Sequence, residues 1–238
     1  MGISRSALQR YSKPLTITVA ALGGAVIGFY FTGDAAPVHS LAEGVAEAER
    51  RGLPPPMLVS LAMWLVLSAY WEISARKAAA KVSSESAASR GIHVALTSVA
   101  QLLVIGPIPG LRTRFVPVML PLIGVGLGIE LVSLALAIWA RRCLGRNWSG
   151  AVATNVDHEM IRFGPYRFVR HPIYTGLLGL YFGTMVVSGE MHALLGMALA
   201  AVAYWRKIRI EEAHLSQLFG PAYEEYRSAT WALVPGLF

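Results

Sequence analysis

Two stretches of this 238-residue chain hold polar residues that solubility does not require. The first, residues 141–174, reads RRCLGRNWSGAVATNVDHEMIRFGPYRFVRHPIY, and the second, 205–226, reads WRKIRIEEAHLSQLFGPAYEEY. Gly164 and Pro165 make a turn, and Pro172 suits the first position of a new helix, where the N–H that proline lacks is not needed. His171 then sits at the helix entrance, and Arg167 and Arg170 add positive charge where backbone donors already favour an anion, either a carboxylate or a phosphate. In the second stretch Lys207 and Glu211 share a helix face. Arg206, Lys207 and Arg209 close an apolar run, a place where basic side chains also gather simply to reach water. Read singly, His171 is a capping or packing histidine, and Tyr166 and Tyr174 are interfacial aromatics. Metal chemistry has no support, because His39, His93, His158, His171, His192 and His214 show no paired ligand spacing. There is no glycine-rich phosphate or dinucleotide loop, and the single Cys143 has no internal partner.

The elements that would position these residues are membrane helices. Of the residues 55% are hydrophobic and only 15% charged, with a mean hydropathy of +0.50. A soluble domain carries about a quarter charged residues. The apolar residues gather in six runs, 15–31, 57–71, 92–105, 115–140, 173–188 and 191–205, which predict an all-α polytopic membrane protein of six spans. The second, third and sixth are short for a full crossing. The first is expected to be an anchor and not a cleaved signal. The last two spans form a hairpin that returns both polar stretches to one membrane face, so they can build one site. Residues 1–114 then form an N-terminal group of helices and linkers, and 115–238 the region that carries both polar stretches. The net charge of +7 reflects topology and not a nucleic-acid partner, because the basic residues fall between the apolar runs. Seventeen of the 21 Lys and Arg lie on one side of the alternation, leaving Arg50, Arg51, Arg112 and Arg114 on the other, which predicts both termini in the cytoplasm. Glu130 is the one acidic residue deep in a span, where a charge is expensive, so it is expected to be functional or paired towards the bundle interior.

The order of residues resembles a known family. Gly164, Pro165, Tyr166, Arg167, Arg170, His171, Pro172, Tyr174 and Gly176, followed after a hairpin by Glu211, Glu212, Leu215, Phe219, Gly220, Tyr223, Tyr226 and Pro235, resembles the isoprenylcysteine carboxyl methyltransferase family over residues 141–235. The resemblance implies an integral-membrane enzyme that uses S-adenosylmethionine. It implies cofactor positions at His158, Glu159, Met160, Ile161, Tyr166, Arg170, His171, Pro172, Tyr174 and Glu211. Lys207 falls where the family tends to place an acceptor-contacting arginine, so the role belongs to Lys207 or, by a slip of register, to Arg206 or Arg209. No metal is implied. The implied partners are the lipid bilayer and a lipophilic or prenylated acceptor, with phospholipid or small-thiol methylation as neighbouring activities. A membrane reductase using NADPH is the reading from another enzyme class, and Pro172 with the Glu211–Glu212 pair argues against it.

Overall fold

A computed structural model of the chain describes residues 54–75, 82–83, 85–108, 110–145, 153–154 and 160–236. The predicted span 15–31, His158 and Glu159 lie outside the described residues. Among those described, the fold is helical, apart from a two-residue antiparallel ladder that pairs Val82 with Thr154 and Ser83 with Ala153. The helices are α1 (Pro55–Ala75), α2 (Ala87–Ile105), α3 (Leu120–Leu144), α4 (Pro172–Ser188), α5 (Met191–Phe219) and α6 (Pro221–Ala229), with a short 3₁₀ turn at Gly164–Arg167.

Helix ends follow local chemistry. Ser86 caps α2, its hydroxyl accepting from the Ser89 N–H, so this helix begins ahead of the apolar run at 92–105. The span expected at 115–140 starts only at Leu120, because Pro117 and Pro121 flank an extended lead-in, and it runs on to Leu144. Pro172 does open α4, which ends at Gly189 with φ +65°. Helix α5 does not stop where its apolar run stops. It continues through Arg206 to Phe219, so the last apolar run and the second polar stretch as far as Phe219 are one 29-residue helix.

Helices α1, α2 and α3 are long and apolar enough to cross a membrane, while α4 is a shorter apolar helix of 17 residues. Helix α4 packs closely on α3, and α2 on α5. Leu134, Ala137, Leu180, Tyr181, Val104, Ala200 and Tyr204 meet in one core. Across α3 the Ser60 hydroxyl of α1 donates to Glu130 Oε1 at 2.8 Å, so that buried carboxyl is paired inward. The Trp64 indole donates to Thr184 of α4 at 3.0 Å. At the far end from the polar motifs, Glu190 in the α4–α5 turn meets Arg112, Arg114 and His192, tying the segment 110–119 to that turn.

The α3–α4 contact depends on missing side chains. A Cβ on Gly176 would lie 2.7 Å from the Ser133 carbonyl oxygen and 2.9 Å from Ala137. One on Gly183 would lie 2.5 Å from the Glu130 side chain. Gly176→Val should therefore push the two helices apart and cost about 1–3 kcal/mol or more. Gly128→Ala, on a face where a new Cβ meets nothing within 4 Å, should be neutral or stabilising. Thermal unfolding in detergent checks both, and equal midpoints for the two variants would contradict this packing.

Candidate active site

The site lies where the entrance of α4, the polar half of α5 and the segment after α6 converge. Gly164 holds φ +62° against the end of α3, and a Cβ there would sit 2.7 Å from Cys143 Sγ. The 3₁₀ turn that follows buries Tyr166, whose carbonyl accepts the Tyr226 hydroxyl at 2.7 Å. The chain after α6 then crosses this segment. Arg170 N–H donates to the Trp231 carbonyl at 2.8 Å, His171 N–H to Ala232 at 3.1 Å, and the Thr175 hydroxyl to Leu233 at 2.8 Å. These bonds fix the backbone of the Arg170–His171–Pro172 motif from outside, while the first turn of α4 fixes it from within.

Glu211 and Glu212 reach this motif from α5 but do different things, because neighbours on a helix point about 100° apart. Glu212 is locked. Its Oε1 accepts Arg170 Nε at 2.9 Å and lies 3.3 Å from His171 Nε2, while Arg227 Nε stands 3.7 Å from Oε2. Arg170 also donates to the carbonyls of Arg227 and Thr230. Glu211 is more open, its side chain 21% exposed. One of its oxygens accepts the Tyr174 hydroxyl at 2.5 Å, and the other stands 3.7 Å from His171 Nδ1, beyond a direct hydrogen bond. The His171 and Tyr174 rings stack at 5.7 Å, and Tyr174 continues to Tyr204 at 5.2 Å. Tyr166 packs with Ala140 and Ile173 against Tyr174, and burial and the charge of Glu211 push its phenol well above its ordinary range.

Burial alone would raise the Glu212 carboxyl. The hydrogen bonds from His171 and Arg170, with the Arg170 charge, outweigh it and hold the group at about 2 against an ordinary 4.5. The folded state therefore binds this proton less tightly than the unfolded chain does. The stabilisation it brings is complete above the ordinary value and is lost as pH falls from there towards 2. Glu212→Gln should accordingly flatten the pH dependence of the unfolding midpoint across that acid window. A slope identical to that of the parent protein would show that Glu212 does not carry the effect.

The structure brings Arg170, His171, Tyr174 and Glu211 together, with Pro172 buried at the helix start and Tyr166 alongside. Ile161 packs with Ala140, Tyr166 and Ile173 at the edge of the site, and Met160 Sδ meets Arg162 Nε at 3.2 Å. The three basic candidates of α5 diverge. Lys207 Nζ lies 2.6 Å from Glu85 Oε2, with both side chains almost fully buried. Arg206 donates to the hydroxyl and carbonyl of Ser89, and Arg209 is exposed. Sequence reasoning missed Glu85, Tyr204 and the lock formed by Glu212. Only Glu212 carries a signal, its position beside Glu211.

Residues 126–217 match the profile of the isoprenylcysteine carboxyl methyltransferase (ICMT) family. The chain is 34% identical over 94 residues to a protein-S-isoprenylcysteine O-methyltransferase of Schizosaccharomyces pombe, a match spanning 38% of this chain and 40% of that protein. It is 30% identical over 82 residues to the enzyme of the same name from Dictyostelium discoideum, spanning 34% of this chain and 35% of that protein. A methanethiol S-methyltransferase 1 of Bradyrhizobium diazoefficiens is 34% identical over 70 residues, spanning 29% of this chain and 24% of that protein. The chain thus spans less than half the length of each of these relatives.

Proposed function

Because residues 126–217 carry the signature of the isoprenylcysteine carboxyl methyltransferase family, we propose that this integral membrane protein transfers a methyl group from S-adenosylmethionine to a lipophilic acceptor, an isoprenylcysteine-like carboxylate. The observation that supports this most is the division of labour between the adjacent glutamates. Glu212 is used up in holding Arg170 and His171, while Glu211 keeps a partly exposed carboxylate beside a stacked His171–Tyr174 pair. That donor set fits the methyl donor: a carboxylate for an ammonium or ribose hydroxyls, and aromatic faces beside it. When bound, S-adenosylmethionine supplies a methyl on a positively charged sulfur.

The residues have little covalent work to do. A carboxylate acceptor is already anionic, so its oxygen forms the new C–O bond without a general base, and the electrons of the broken C–S bond stay on sulfur. Transfer neutralises both charges, so a site shielded from water favours it. What the protein provides is orientation. The Tyr174 hydroxyl holds Glu211 in place, and the segment after α6 holds His171. On the acceptor side Lys207, Arg206 or Arg209 orients the carboxylate. His158 and Glu159 through Ile161 are assigned to the cofactor on the same reading. Residues 1–114 form the N-terminal helix group and 115–238 the catalytic region, in a chain of six spans whose site faces the cytoplasm, as the basic asymmetry supports. A small-thiol acceptor is the second reading, favoured by the similarity to a methanethiol S-methyltransferase.

Calorimetry on the purified protein in detergent tests the proposal. S-adenosylmethionine and its demethylated product should both bind, and Glu211→Gln should weaken them by about 1.5–3 kcal/mol, the loss expected for a hydrogen bond to a charged group. Binding of NADPH with neither sulfur compound recognised would replace this reading with a reductase.

A further inference from the structure

At the site end of the bundle, large apolar side chains outside the helix spans are left uncovered together. Phe163 is 58% exposed, Phe168 55%, Trp231 48% and Val234 43%. They occupy the two segments that cross at the entrance of α4, where Trp231 N–H donates to the Phe168 carbonyl at 3.1 Å. The patch continues onto α3, because a Cβ on Gly164 would stand 3.6 Å from the indole nitrogen of Trp139, itself half exposed on the outer face of that helix. Apolar area of this kind is costly in water. Cations lie within it. The Arg167 guanidinium sits 4.8 Å over the exposed Phe168 ring, and that of Arg162 is held over Tyr226 with a bond to the Ala222 carbonyl.

The length of α4 gives the patch a level. Its 17 residues reach only about 26 Å, short of the ~30 Å hydrocarbon core. At its other end Phe115, Val118 and Met119 are likewise exposed beside Arg112 and Arg114. Two apolar and arginine-bearing rims therefore bracket a helix too short to cross alone. We propose that Phe163, Phe168 and Trp231, with Arg162 and Arg167, form a lipid-docking surface that seats the site end of the protein in the headgroup layer and selects anionic phospholipids. The rings enter the acyl boundary, and the guanidinium resting on Phe168 meets a lipid phosphate. The inference rests on the membrane placement and is independent of the methyl acceptor.

Reconstitution in phosphatidylcholine vesicles containing trace spin-labelled phosphatidylglycerol or phosphatidylcholine reads the preference directly. The unaltered protein should retain the phosphatidylglycerol probe more strongly. Each of Arg162→Gln and Arg167→Gln should lower the ratio by up to roughly fivefold, and high salt should lower it as well. In a Cys143→Ser background, nitroxides at Phe168→Cys and Trp231→Cys should collide with oxygen in preference to a water-soluble nickel chelate, and a Glu225→Cys control on the exposed face of α6 should do the reverse. Equal retention of the two lipid probes by the unaltered protein would overturn the proposal. So would labels at 168 and 231 that behave like the one at 225, which would make the patch a docking face for a soluble protein. S-adenosylmethionine binding, followed in the same samples, reports separately on the methyltransferase reading.

Discussion

Arg170→Ala should destabilise the protein by about 3–5 kcal/mol, the cost of stranding one member of a buried ion pair. Arg170 and Glu212 are each only 10% exposed in their side chains, and the pair lies at 2.9 Å. The guanidinium also satisfies the carbonyls of Arg227 and Thr230, so its loss opens the strap that runs from α6 across His171. Three acceptors are served in three directions by one planar group, which a lysine ammonium does not reproduce. Arg170→Lys should therefore recover only a minor part of the loss, and the double variant Arg170→Met/Glu212→Leu should recover more, because it removes the stranded carboxylate. Thermal unfolding in detergent, read beside S-adenosylmethionine affinity, checks the series. A fully stable Arg170→Lys protein would mean that charge alone, and not the fork, holds the strap.

The motif around Arg170 was legible in the sequence because its parts are local. A turn at Gly164–Pro165, a helix opened by Pro172 and an apolar run to Ser188 each follow from neighbouring residues, and the structure shows all three. What escaped was non-local. Nothing in adjacent glutamates says which will be locked and which left open. That depends on Arg170, 42 residues earlier in the chain, lying over one of them. The last apolar run ends at Trp205 because hydropathy falls at Arg206–Lys207, which leaves open how far the helix itself runs. Hydropathy reports the solvent and not the backbone: α5 continues with Ile208 and Glu212 buried on one side and Arg209 exposed on another. Glu85 was least legible of all, an acidic residue in a stretch rich in Ala, Ser and Lys whose partner lies 122 residues away.

That distant pair supports the other large expected effect. Lys207→Met should cost about 3–5 kcal/mol, because it takes the Lys207 ammonium away from Glu85, whose side chain is 1% exposed. The pair belongs to a small network. The Ser89 hydroxyl donates to Glu85 Oε1 at 2.9 Å and accepts Arg206 Nη2 at 2.8 Å, so the start of α2 is clamped to α5 just beyond Tyr204. Glu85 lies outside the family-matching segment 126–217, whereas Lys207 lies inside it. The Lys207→Met/Glu85→Leu double variant should regain most of the lost stability, since two well-packed apolar groups replace a buried ion pair at little cost. This also separates the two roles open to Lys207. A clamp alone predicts a double variant that is stable and turns over its acceptor normally. A cation that orients the acceptor predicts the same stability with a raised KM for anionic acceptors and an unchanged affinity for S-adenosylmethionine. If Lys207→Met by itself left the unfolding midpoint untouched, the buried pair would not be holding α2 on α5.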